Sequence, residues 1–291
     1  MTMSSTRDYY YELDDRGVLT LDGAVQDDPW FVDFFFRRLA PTANPDYPDH
    51  PFVSRCGDEM NYLRPKDSAI VYTGYDGERL TYAHSLSVLM HPDRLAYSPD
   101  GVLYHWALVG ERGRIVPQVA MELSKRIEPW GPFFAYHDTE RRRVTPLTPI
   151  EQERHLTFLR PRRDNQCVGC GEANPFSLQL SFVHDRRDDH IRTYVKPDMR
   201  MQGSLGITHG GFVSLLLDET MGKCLSMKGL RAPTARLNVS FHRPMKLDEE
   251  YEVSSWIERQ EGRKNFLRAT VKRYGIEGLV AEADALFITI R

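Results

Sequence analysis

The residues best placed to do chemistry lie between His209 and Gly222, a run reading His-Gly-Gly-Phe-Val-Ser-Leu-Leu-Leu-Asp-Glu-Thr-Met-Gly. Leucines at 215, 216 and 217, with Phe212, Val213, Met221 and Cys224 around them, make it apolar on nearly every face, the pattern of a buried central helix. Asp218 and Glu219 interrupt that surface. An ionised carboxylate inside a core costs several kcal/mol unless paired or hydrated, so Asp218 faces either water or a pocket built to hold it. Gly211, Ser214 and Gly222 share its side of the helix and keep that side slim, which favours close approach by another group. The Gly210 and Gly211 amides are first-turn donors at the positive end of the helix dipole. Such donors can stabilise a developing oxyanion, or can simply be capped.

Spacing adds a constraint. Gly210 and Asp218 are eight residues apart, roughly 12 Å along a helix, too far to act on one carbonyl. Two antiparallel copies related by a two-fold axis would bring each glycine end beside the other's carboxylate. A homodimer or higher homo-oligomer is therefore expected.

His209-Gly210-Gly211, Asp218 nine positions later, and 232–244 (Ala-Pro-Thr-Ala-Arg-Leu-Asn-Val-Ser-Phe-His-Arg-Pro) together resemble the hotdog-fold acyl-CoA thioesterases of the phenylacetate (PaaI-like) type. The upstream run Cys167-Val-Gly-Cys170-Gly-Glu-Ala-Asn174-Pro175-Phe-Ser-Leu is similar to the entry segment of that family. The resemblance implies that Asp218 is base or nucleophile, that the Gly210 amide polarises a thioester carbonyl, and that His209 and Thr234 line the site. It further implies a homodimer with shared active sites. The tight connections between the later strand candidates favour an antiparallel sheet that wraps the long apolar helix, and no cofactor is expected. In the family pattern glycine precedes the leucine after Asn-Pro; here Phe176-Ser177-Leu178 stands instead, which bears on the size of the entrance.

For the substrate, Gly211, Asn238, Arg243, Arg263 and Lys264 are the binding candidates. The cations among them, with Lys246, suit the phosphates of CoA or are ordinary solvated surface. The alternative function is a non-catalytic acyl-CoA binding or regulatory protein; an aspartate at the catalytic place argues against it. No Gly-x-Ser-x-Gly, Walker loop or Gly-x-Gly-x-x-Gly turn occurs. Cys167-x-x-Cys170 is half a zinc site whose nearest further ligands would be His184 and His190, and with no second cysteine pair no metal is expected.

The chain's 291 residues are comfortable for two domains, with 41% apolar and 27% charged residues. No apolar run approaches membrane-spanning length and the start lacks the apolar core of a signal peptide, so a cytoplasmic protein with no membrane partner is expected. Four cysteines suit a reducing compartment. Residues 160–291 carry 21 Lys/Arg against 17 Asp/Glu, and residues 1–159 carry 17 against 24. The positive half suits a polyanionic ligand or reflects a solvated surface.

The expected organisation is a small α+β domain over 1–140, a linker over 141–159 with a short helix at 151–159, and an α+β hotdog domain over 160–291. In the first domain the sequence predicts a hairpin over 9–22, a helix capped by Asp27-Asp28 and opened by Pro29, strands at 69–72, 79–82, 87–90 and 102–107, and a helix over 115–127. That half resembles a family of uncharacterised proteins through Tyr10-Tyr-Glu-Leu-Asp, Phe34-Phe-Phe-Arg-Arg-Leu, the run from Pro51 to Arg64, and Gly101-Val-Leu-Tyr-His, and the family lends no activity. Cys56, Asp58, Glu59, Asn61 and Arg64, with His84 and His105, form either a site or a structured loop. The arginines at 141–143 read as a solvated linker without the aromatic or basic repetition of a nucleic-acid surface. In the second domain the predicted strands are 178–183, 190–195, 235–242, 251–257, 266–273 and 281–290.

Overall fold

The computed structural model describes residues 7–42, 48–139, 143–152 and 154–290. The chain forms two compact units: Met1–Arg126 with Leu147–Glu151, and Ile127–Pro146 with Gln152–Arg291. The stretch expected to close the first domain and link it to the second is thus divided between both units.

Among its described residues the first unit holds a six-stranded and a seven-stranded sheet and two short α-helices. Helix Pro29–Arg37 is capped as its sequence demands: the Asp28 carboxylate accepts from the Phe31 amide at 2.7 Å, and Pro29 occupies the first turn, where no amide is needed. Val32, Phe35 and Phe36 are its buried apolar stripe. The second helix is Pro117–Ser124, shorter than the periodicity suggests, because Ile115 ends a strand ahead of Pro117 and Ile127 begins another. His105 is core: it is fully buried, its Nδ1–H donates to the Trp106 carbonyl and its Nε2 accepts from the His91 amide. Burial holds it down at about 4, so it stays neutral. Cys56 and Glu59 lie at the tip of a hairpin whose Asn61 side chain donates to the Ser54 carbonyl. Of that polar cluster, Asn61 is thus tied to its own hairpin and His105 to the core.

The second unit opens with three antiparallel strands, β1 (Ile127–Trp130), β2 (Phe133–Asp138) and β3 (Arg143–Pro146). Arg143 is thus a strand residue rather than linker, while 141 and 142 fall outside the described residues. Then come β4 (Leu156–Leu159), β5 (Phe182–Asp185) and β6 (His190–Val195). Helix α1 (Gly210–Ser226) follows, with β7 (Thr234–Phe241), β8 (Tyr251–Glu261), β9 (Lys264–Arg273) and β10 (Leu279–Ile288). The short helix expected over 151–159 is a correction: Leu156-Thr-Phe-Leu is a β-branched and aromatic run, and it pairs as strand β4 with β5.

The large sheet is wholly antiparallel, in the order β4-β5-β6-β8-β9-β10-β7. It packs on α1, whose Val213, Leu216, Leu217, Met221, Cys224 and Leu225 interleave with Val253, Leu267, Ala269, Val271, Ala281 and Ala285. Each fully buried leucine in that set contributes about 2 kcal/mol of transfer free energy. On β1–β3 a second cluster gathers Trp130, Phe133, Leu156, Val183 and Tyr194. There the Trp130 indole N–H donates to the Tyr194 carbonyl at 2.8 Å. Gly131, at φ +57°, turns the β1–β2 hairpin against the Tyr194 ring, where a Cβ would come within 2.3 Å of a ring carbon.

Candidate active site

Helix α1 carries the proposed groups at two places, and β7 touches it at both. At its start, His209 is the N-cap and its Nδ1 accepts from the Gly211 amide at 2.9 Å. That bond corrects the expectation of two free amides. Gly211 is satisfied by that bond, and among the described residues the Gly210 N–H alone of the pair has no partner. Gly210 faces a cavity of about 350 Å³ lined also by Thr208, Phe241, Arg243 and Met245. Thr208 is a residue the sequence did not single out; among the described residues its buried hydroxyl has no hydrogen-bond partner. Arg243 reaches this cavity from beyond β7, its guanidinium lying so close to Gly278 that a Cβ there would meet it at 2.6 Å.

Eight residues on, Asp218 Oδ1 accepts from the Thr234 hydroxyl at 2.7 Å. Burial raises the Asp218 carboxyl above its ordinary value, and the Glu219 charge beside it adds to the rise, against the opposing hydrogen bond from Thr234. The result is a stronger base than a free aspartate. Lys264 pairs with Ile288 and Thr234 with Phe287, while the Thr289 amide donates to the Arg263 carbonyl. Arg263 and Lys264 therefore stand at the Thr234 end of the sheet, and Arg243 at the Gly210 end. Asn238 lies between, on the exposed edge strand, donating to Asp284 at 3.0 Å. A larger cavity of about 520 Å³, beside Trp130, Leu178, Tyr194 and Met201, includes neither Gly210 nor Asp218.

Glu219 points into a different set of partners. Its carboxylate pairs with Lys223 at 2.9 Å and accepts from the Cys167 thiol at 3.3 Å, and Lys223 Nζ also contacts Cys170 Sγ at 2.8 Å. Burial works to raise Glu219, but the Lys223 ammonium and the surrounding donors win and hold it below the usual range. Burial above all, with Glu219 next, pushes the Cys170 thiol up to about 12. Gly169 lets the cysteine turn lie on the helix, since a Cβ there would sit 2.8 Å from Glu219 Cγ. The sequence sought partners for the cysteines in His184 and His190. Instead His184 is bound by Asp189, and His190 contacts Ser254 and stacks on Trp256. The overlooked signal was the i,i+4 spacing of Glu219 and Lys223 on a helix otherwise apolar. Lys223→Met is expected to cost about 3 kcal/mol of unfolding free energy in a urea titration, because it leaves Glu219 largely buried without its counter-charge. An unchanged midpoint would show that the pair is solvated.

Among known proteins, a family model described as a domain of unknown function, DUF4505, matches residues 2–156, more than half of the chain. The chain belongs to that family. A second model, the thioesterase superfamily, matches residues 205–279, the span of α1 through the start of β10. The acyl-coenzyme A thioesterase THEM4 of Mus musculus is 36% identical over 113 residues, 39% of this chain and 49% of that protein. The Bos taurus protein of the same name is 36% identical over 115 residues, 39% of this chain and 47% of that one. The chain thus spans about half the length of the curated relatives it matches. Among solved structures, one described as a thioesterase superfamily protein is 24% identical, with a TM-score of 0.40 over 42% of this chain and 60% of that one. Thioesterase superfamily member 2 from Mus musculus is 19% identical, with a TM-score of 0.33 over 35% of this chain and 81% of that one. The DUF4505 segment lies outside the thioesterase match, and among the described residues no helix is long and apolar enough to cross a membrane.

Proposed function

We propose that the chain hydrolyses an acyl-CoA thioester at a site shared by two copies. The observation that carries this reading is a division of labour along α1: a carboxylate made more basic by burial at one place, and an unclaimed N–H donor at the helix start. Asp218 either takes a proton from the attacking water or attacks the carbonyl itself. The Gly210 amide, aided by the helix dipole, receives the charge that develops on the carbonyl oxygen, and the CoA thiolate departs. Similarity to proteins named acyl-coenzyme A thioesterases supports the substrate class.

Within one helix the two groups are roughly 12 Å apart, so each is incomplete alone. Two features favour a two-fold partner. Strand β7 is an eight-residue sheet edge with mostly exposed side chains, open to pairing with another copy. The slim side of α1 faces space, since a Cβ built at Gly222 meets nothing within 4 Å. Arg263 and Lys264 from one copy and Arg243 from the other would then flank the same site and receive CoA phosphates. The protein is expected to run as a dimer in light scattering and to turn over some of a panel of short, long and aromatic acyl-CoAs. A monomer that is fully active at assay concentration would sink the shared site, and no turnover across the panel would sink the reaction.

A further inference from the structure

We infer that Cys167, Cys170 and Glu219 form a zinc site that ties the segment ahead of β5 to helix α1, one residue from Asp218. This inference stands apart from the thioesterase reading, because it rests on a cluster that the proposed reaction does not use.

One ligand atom from each of the three residues lies within 4.8 Å of the others, and Cys167 Sγ is 3.3 Å from Glu219 Oε2. With bonds of about 2.3 Å to sulfur and 2.1 Å to oxygen, a tetrahedral zinc would separate those two atoms by roughly 3.6 Å, so small side-chain rotations suffice. Two thiolates and a carboxylate suit zinc and leave a fourth position for water.

The surroundings already resemble the outer sphere of a metal thiolate. The Gly169 amide donates to Cys167 Sγ at 3.3 Å and the Asn165 side-chain amide to Cys170 Sγ at 3.4 Å. The turn itself is closed by the Gly171 amide on the Cys167 carbonyl at 2.8 Å. Charge balances in both states. Without metal, the Lys223 ammonium offsets the Glu219 carboxylate, and the Cys167 thiol donates to that carboxylate. When zinc enters, two thiol protons leave to solvent and one dication replaces them, so the cluster with Lys223 retained is neutral again. Nothing buried is left uncompensated by either state.

The full chain, purified without chelators and kept in a non-thiol reductant, is titrated with zinc alone against a chromophoric chelator. The expected result is one equivalent of zinc withdrawn per chain, lost in both Cys167→Ser and Cys170→Ser, weakened in Glu219→Gln and kept in Cys56→Ser. Zinc withdrawn equally by the double Cys167→Ser, Cys170→Ser variant, or none by the unaltered chain, overturns the inference. Should the serine variants fail to fold, alkylation of the unaltered chain decides: zinc is expected to protect Cys167 and Cys170, and equal labelling with and without zinc overturns the site.

Discussion

Asp218→Asn is expected to lose ~100-fold or more in kcat on whichever acyl-CoA is turned over best, with little change in affinity. Asparagine keeps the size of the side chain and can still meet the Thr234 hydroxyl, but it removes the charge and almost all the basicity. The pH profile supplies a second readout. Since burial raises the Asp218 carboxyl, the acid limb of kcat/KM should fall at a pH above the ordinary aspartate value, and it should vanish in the variant. Stability should move the other way. A carboxyl that is harder to ionise in the folded chain binds more protons there than when unfolded. Its contribution is therefore fully present below the unfolded value and lost as pH rises through the folded one. Near neutrality Asp218→Asn should accordingly raise the melting temperature, an advantage that disappears in strong acid. Near wild-type turnover in the variant would show that the base is elsewhere. Glu219→Gln is no neutral control, because it disturbs Lys223 and the cysteine turn.

Gly210→Pro should lose ~100- to 1,000-fold in kcat by deleting one N–H and little else. Proline is at home in the first position of a helix, and the residue before it must be extended, which His209 is at φ −62° and ψ 134°. A Cβ at 210 meets Phe241 at an ordinary 3.4 Å, so Gly210→Ala, which keeps the amide, serves as the mild control. Equal losses in the two variants would point to packing instead of the donor. Mixing the proline and Asp218→Asn proteins under subunit exchange adds a sharper readout. If the site draws Gly210 from one copy and Asp218 from the other, each mixed dimer regains one intact site. About a quarter of wild-type activity should then return at equal amounts. No recovery despite proven exchange would place both groups in a single-chain site.

The helix and its carboxylate were legible because they are local: an apolar run, a glycine pair and a fixed offset survive without knowledge of the fold. The strands from β6 onward were legible by alternation and tight turns, and their structural ends lie within a few residues of the pattern. What failed needed tertiary partners. Leu156–Leu159 becomes strand because β5 is there to receive it. Ile127–Pro146 joins the second unit because Trp130 and Phe133 find Tyr194, distant in sequence. Whether the Gly210 or the Gly211 amide is free depends on which way the His209 ring turns, and no spacing reveals a rotamer. The third partner of the cysteines was hidden for a similar reason, since 52 residues separate Glu219 from Cys167.

The bond from Trp130 to the Tyr194 carbonyl spans 64 residues, and that distance is also a waiting time. At roughly 5 to 20 residues per second, a nascent chain exposes β1 and β2 for about 3 to 13 s before Tyr194 exists to cover them. Trp130 and Phe133, buried in the finished fold, spend that interval without the Tyr194 that completes their cluster. The hairpin that opens the second unit is therefore where a chaperone has most to shield during synthesis, although it carries none of the proposed catalytic residues.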